Sequence, residues 1–277
     1  MPERDPRELG GHWRTAQTIA VHEPDADLAP WVERLWTASW EYAEPYRQKI
    51  VPLPQVHVSV IDAGGGRAEG GAKVTSAASD AAGVTFAPHP RVVGPRSRHM
   101  VRVLAGRGSV VGAAFRPGVF RVVAGRPVAE LVDCELDVPD VPGLAGAPPF
   151  AGDLAAWLRA HLPAGGPPRA AREAAELVAH VAADPTIARV DRLAAAAGTS
   201  MRTLQRLFAE HVGPGPKWVI RRYRLQEVVG RLEAGGGVDW ADLAATLGYA
   251  DQAHLSRDFA DLFGEPPTWY ARRYPAT

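Results

Sequence analysis

Cysteine is almost absent from this 277-residue chain, in which Cys134 stands alone. A single thiol excludes an internal disulfide and any Cys-rich zinc site, and it fits a reducing compartment. Charge of one sign is also lacking, because 31 Lys and Arg are balanced by 31 Asp and Glu. Bulk charge therefore points to no partner. Long apolar runs are missing, and none approaches the roughly 20 residues that a membrane helix needs. Residues 1–13 are mostly polar and charged, unlike a secretory signal. A soluble cytoplasmic protein without membrane attachment is the expectation. The nine histidines contain no His-x-His pair, so a metal-binding barrel enzyme lacks its ligand pattern. No metal, no other cofactor and no enzymatic activity is expected.

What is present is enough apolar material for real cores, 46% of the residues, in a chain long enough for two domains. Two textures divide it. From about Trp31 to Val138, short apolar runs alternate with Gly and Pro turns. The runs include 55–61, 83–86, 100–104 and 109–115. Strands at this spacing predict a sandwich or barrel. Residues 120–132 read as a short helix pair after the last strand. Residues 138–149 hold four prolines and read as a linker, 150–162 as a helix, and 163–168 as a second break. From Arg169 onward, Ala, Leu and Arg recur with a 3.6-residue period, which predicts helices. The expected fold is α+β and multidomain. A β-rich domain over 1–140 precedes a linker with a helix over 141–170 and an all-α domain over 171–277.

The all-α part is written twice. Residues 200–223 and 251–274 are identical at ten of 24 positions, among them Leu204/Leu255, Arg206/Arg257, Phe208/Phe259, Gly213/Gly264 and Trp218/Trp269. Upstream the repeat continues one residue out of step, with Leu193/Leu243, Ala194/Ala244 and Gly198/Gly248. Such self-similarity marks a duplicated structural unit. Each copy reads as a short helix, a glycine turn, a cap (Ser200 or Asp251) and a second helix. In the first copy Leu204, Leu207 and Phe208 share the inner face, which leaves Arg202, Thr203, Gln205 and Arg206 outside. In the second, Leu255, Phe259 and Leu262 face inward, while Gln252, His254 and Arg257 lie on the open face. A helix–turn–helix places such exposed residues in the major groove. Arg reads guanine and Gln reads adenine bidentately. Between the copies, residues 216–232 form an amphipathic helix able to space two reading helices by about one DNA turn, roughly 34 Å. Residues 185–277 carry 12 Lys and Arg against 10 Asp and Glu, so any basic footprint must be local. Arg221, Arg222 and Arg224 are the candidates for phosphate contact. Trp218 and Trp269 read as core.

Residues 193–208 and 243–259, closed by 263–270, resemble the AraC/XylS-type transcriptional regulators. The resemblance implies two helix–turn–helix subdomains joined by a linker helix. By position it implies base contacts from Arg202, Gln205 and Arg206, and from Gln252, Ala253, His254 and Arg257. More weakly, residues 53–58, 93–96 and 111–118 resemble the β-rich, cupin-like sensor half of such regulators. That implies effector binding or dimerisation. Trp36, Trp40, His57 and Arg116 are the candidate effector contacts. The competing assignments are strand packing for the tryptophans and a structural role for Arg116. The expected partners are double-stranded DNA, a small-molecule effector and RNA polymerase, with the protein a homodimer or a monomer. The alternatives are an N-terminal domain that only dimerises and a cupin-like enzyme fused to a DNA-binding domain. Cys134 reads as a buried small apolar residue rather than a reactive thiol.

Overall fold

The computed structural model describes residues 8–9, 17–63, 68–69, 90–146, 151–234 and 238–273. The expected strand at 83–86 lies outside them. Among the described residues eight strands form one antiparallel sheet: β1 (Glu8–Leu9), β2 (Gln17–His22), β3 (Val32–Ile50), β4 (His57–Ala63), β5 (Ala68–Glu69), β6 (Pro90–Val93), β7 (Met100–Phe115) and β8 (Glu135–Asp137). The order is β1-β3-β7-β4-β6-β8, with β2 paired to β3 and β5 to β7. The two strands expected at 100–104 and 109–115 are one. Gly106 takes a φ of +59° opposite Tyr42, where the β3–β7 register shifts, so the chain bends without leaving the sheet.

Side-chain alternation gives the sheet two different faces. On β4, Val58 and Val60 point into the main core, while His57 and Ser59 point to the other side, which is hollow. The filled face is covered by residues 116–146 and 151–162. These form helix α1 (Arg121–Ala124), three 3-10 turns at Val128–Leu131, Val138–Asp140 and Pro142–Leu144, and helix α2 (Leu154–His161). The helix pair expected over 120–132 is there. The segment read as a linker is not free: Val138, Val141, Leu144, Leu154, Trp157 and Leu158 are all buried in this core. Pro139 and Pro142 lie in single turns of 3-10 helix rather than in an extended tether.

The helical part comprises α3 (Arg169–Ala183), α4 (Val190–Ala196), α5 (Met201–His211), α6 (Pro216–Ala234), α7 (Trp240–Thr246), α8 (Gln252–Phe263) and α9 (Pro267–Arg273). It has two cores. Val178, Leu193, Leu204, Phe208 and Val219 close the first module, and Leu225, Val228, Leu243, Leu255, Phe259 and Phe263 the second. Helix α6 contributes to both, which is why it buries residues around most of its circumference rather than along one stripe.

Candidate nucleic-acid interface and effector cavity

Both modules form as their local sequence dictates. The Ser200 side chain accepts a hydrogen bond from the Thr203 amide, and Asp251 accepts one from His254, so each reading helix has the expected cap. Gly198 and Gly248 turn the chain at φ of +59° and +69°, a conformation that side chains with a Cβ resist. Arg202, Gln205 and Arg206 on α5 are exposed, as are Gln252, His254 and Arg257 on α8. They stay exposed with the β-domain in place. The His254 ring meets Tyr249 edge-on at 5.1 Å between centroids, which restrains it at the start of α8. Sequence reading overlooked Met201, the first residue of α5, which is 53% exposed. An exposed methionine at the leading end of a reading helix suits an apolar contact such as a thymine methyl group.

The arginines assigned above to phosphate are structural. Arg222 is 0% exposed. Its Nε donates to the Pro52 carbonyl at 2.6 Å, its Nη1 to Gln226 at 2.9 Å, and its guanidinium lies over the Phe263 ring. Burial lowers its pKa to about 10. Arg221 pairs with Asp258 at 3.1 Å and Asp261 at 2.7 Å, which ties α6 to α8 and holds the Asp261 carboxyl below its usual range. Arg224 donates to the Leu247 carbonyl and stacks on Tyr249. Amphipathic reading of α6 assumed one open face, but Arg222 is buried, and Arg221 and Arg224 are partly buried against the second module. The tryptophans also part company. Trp218 is half-buried and its Nε1 donates to the Ser97 carbonyl at 2.9 Å, whereas Trp269 is 56% exposed and is not core.

The hollow face of the sheet holds a cavity of about 100 Å³. Trp36, Trp40 and His57, proposed from sequence as effector contacts, all line it. His57 is only 9% exposed. Arg116 does not line it: Arg116 is exposed, and its Nε donates to the Ala29 carbonyl at 2.6 Å, which pins a loop. The cavity arginines are instead Arg96 and Arg102. Arg96 is presented by the segment Val93-Gly94-Pro95. A Cβ on Gly94 would stand 1.8 Å from the Leu131 carbonyl oxygen, so only glycine allows this approach. The Gly-Pro pair before Arg96 was the one sequence signal for it. Gln17, Gln48, Gln55 and Ser59, which sequence reading missed, supply further polar groups.

The β-domain is docked on both modules, at the C-terminal ends of the reading helices. Arg121 pairs with Glu210 at 3.1 Å, and His211 Nδ1 donates to the Gly118 carbonyl at 3.2 Å. On the second module Lys49 pairs with Glu265 at 3.1 Å, and the His99 amide donates to the Leu262 carbonyl at 3.2 Å. Val51 goes further: it lines the cavity and is also fully buried in the core of the second module. Desolvation holds the His99 and His211 imidazoles below the usual histidine pKa.

Among the described residues no group of His, Cys, Asp or Glu is placed to hold a metal ion, and no helix is long and apolar enough to cross a membrane. Residues 193–273 match the family model of a helix-turn-helix domain, and residues 20–137 that of a domain of unknown function, DUF6597. No curated protein matches the chain. Among solved structures, the chain is similar to a probable AraC family transcriptional regulator of Rhodopseudomonas palustris. The identity is 25% over 38% of this chain and 98% of that one, with a TM-score of 0.33. It is also similar to ToxT of Vibrio cholerae, at 11% identity over 94% and 99% of the two chains, with a TM-score of 0.42. Residues 193–273 are thus a helix-turn-helix domain, in keeping with the two modules described above.

Proposed function

We infer that this chain is an AraC-type DNA-binding transcriptional regulator, cytoplasmic and switched by a small molecule held in the cavity of its β-domain. The observation that carries the reading is the double role of Val51 and Pro52. Both line the cavity, Val51 is built into the second module's core, and the Pro52 carbonyl anchors Arg222 of α6. A ligand that shifts this strap by an ångström changes the packing beneath α6 and α8. Interfaces of this kind have discrete arrangements, so a small displacement is not absorbed smoothly. The cavity, with polar groups on an apolar wall, favours sensing over a β-domain that only dimerises.

On the DNA side, α5 and α8 are the reading helices. Helix α6 has 19 residues and spans roughly 28 Å at 1.5 Å per residue, close to one turn of duplex. The reading residues differ between copies, with Arg202, Thr203 and Gln205 in one against Ala253, His254 and Ser256 in the other. That pattern suits an asymmetric site rather than a palindrome. Double-stranded DNA and the effector are the direct partners, and RNA polymerase is the expected third. The test is fluorescence anisotropy on the DNA upstream of the protein's own gene. Arg206→Ala and Arg257→Ala should each cost about 1–3 kcal/mol on the specific site and relax one base position. Parent-like binding by both variants refutes the assignment of reading residues.

A further inference from the structure

We propose that the cavity takes an uncharged single-ring molecule bearing both a hydrogen-bond acceptor and a donor, the class of aromatic amides and lactams. The proposal rests on the sensing role inferred above and names its ligand class.

Size and shape come first. The cavity of about 100 Å³ is comparable to the roughly 150 Å³ that admits a benzene ring in an engineered core. Its wall is made for a flat guest. Trp36 and Trp40 stand two pleats apart on the same face of β3, each opposite a glycine of β7, Gly112 and Gly108. The Trp36 indole lies directly on Gly112, where a Cβ would come within 2.4 Å of it. Two indoles on one face of β3, that of Trp36 resting on Gly112, with Leu104, Val110 and Met100 also lining the cavity, form a surface on which a planar ring stacks.

Polarity follows from the atoms that the protein leaves without partners. Three cavity-lining residues carry one each: Trp40 Nε1 and Arg96 Nε, which are donors, and Gln55 Oε1, an acceptor. Trp40 and Gln55 are 5% and 4% exposed, so bulk water does not satisfy them, and a buried polar atom without a partner is costly. The Gln55 amide is fixed the way it points. Its Nε2 donates to Glu33 Oε2 at 2.6 Å, so the oxygen must face the other way. An acceptor atom held there repels a carboxylate. The Arg96 charge does not call for an anion, because Arg96 Nη2 lies 3.5 Å from the buried Glu135 carboxylate and Nη1 donates to the Asp133 carbonyl. The complement of these groups is a carbonyl for the two donors and an N–H or O–H for Gln55, on a neutral ring.

Three matched probes test this on the full chain: benzamide, benzoate and toluene share the ring and differ in the head group. Binding is read by tryptophan fluorescence and calorimetry. Benzamide is expected to bind at least tenfold more tightly than benzoate or toluene. Gln55→Met and Trp40→Phe, checked for folding by circular dichroism, should each lower benzamide affinity about tenfold and leave toluene unchanged. Ala38→Leu, which fills the cavity, should abolish all binding. Benzoate binding as tightly as benzamide overturns the proposal, as does failure of all three probes, which leaves water as the cavity's occupant. So does unchanged benzamide affinity in both polar variants. The sensing role is judged separately, by DNA anisotropy with and without ligand. Benzamide that binds without changing DNA affinity sinks the sensor and keeps the ligand class. An anionic metabolite that changes DNA affinity, in a manner blocked by Ala38→Leu, sinks the class and keeps the sensor.

Discussion

Replacing Arg222 by methionine separates the stability of this protein from its coupling. The guanidinium is wholly buried, and a pKa lowered from 12.5 to about 10 corresponds to about 3 kcal/mol against its charged form. Methionine removes that cost while filling most of the same space. It also leaves the Pro52 carbonyl without its donor, which costs about 1–3 kcal/mol, and it removes the cation from the Phe263 ring, worth about 0.5–2 kcal/mol. The opposing contributions nearly cancel, so Arg222→Met should lie within about 1–2 kcal/mol of the parent in urea denaturation, as replacement of buried charges by apolar groups often does. Arg222→Ala adds a cavity under Phe263 and should be about 2–4 kcal/mol less stable than the methionine variant. The coupling behaves differently. Arg222 is the polar tie between the cavity strap and α6, so Arg222→Met should keep DNA affinity and lose most of the effector's influence on it. Destabilisation of more than about 3 kcal/mol by methionine would refute the reasoning, because the lost hydrogen bonds to Pro52 and Gln226 would then outweigh the burial of the charge.

Other outcomes follow from the same interfaces. His99 and His211 both have pKa values lowered from 6.5, chiefly by burial. Lys49 and Arg98 lower His99 further while Asp261 opposes them, and Arg121 lowers His211 while Glu210 opposes it. The unfolded chain then binds protons that the folded chain refuses, so stability is complete above about pH 6.5 and is lost as pH falls below it. Thermal midpoints should drop between pH 7.5 and 5.5, and the His99→Gln/His211→Gln double variant should show a shallower drop. Arg221→Ala should leave the salt dependence of DNA binding unchanged, whereas loss of a phosphate contact lowers the slope by about 1; calorimetric unfolding should instead show a loss of about 1 kcal/mol from the α6–α8 tie. Gly94→Ala forces the Leu131 carbonyl aside and should cost at least about 2 kcal/mol; a neutral effect in chemical denaturation would show that the loop gives way.

The reading helices were legible because what specifies them is local. Ser200 and Asp251 sit where caps belong, the glycines sit where the chain must turn, and Leu204/Phe208 and Leu255/Phe259 recur at one face. The α6 arginines misled for the opposite reason. On an isolated helix, Arg221 and Arg222 fall outside the apolar positions, and nothing local says that Asp258, Asp261 and Pro52 close over them. The same holds for the proline-rich stretch after Val138. Its composition is that of a linker, yet Val138, Val141 and Leu144 are spaced to drop into a core supplied by distant strands.

The sequence by itself determined the helical part: a duplicated helix–turn–helix with one scaffold and two different exposed faces, because caps, turns and helical periodicity act within a few residues of each other. It also placed Trp36, Trp40 and His57 on the strands that carry the cavity. Only the tertiary structure decided which charges stay exposed on α5 and α8 and which brace the protein, that Arg96 rather than Arg116 lines the cavity, and that Val51 belongs to two domains at once. Those outcomes depend on contacts between residues from 23 to 170 positions apart, and they are set by how sheet and helices close on each other rather than by any local pattern.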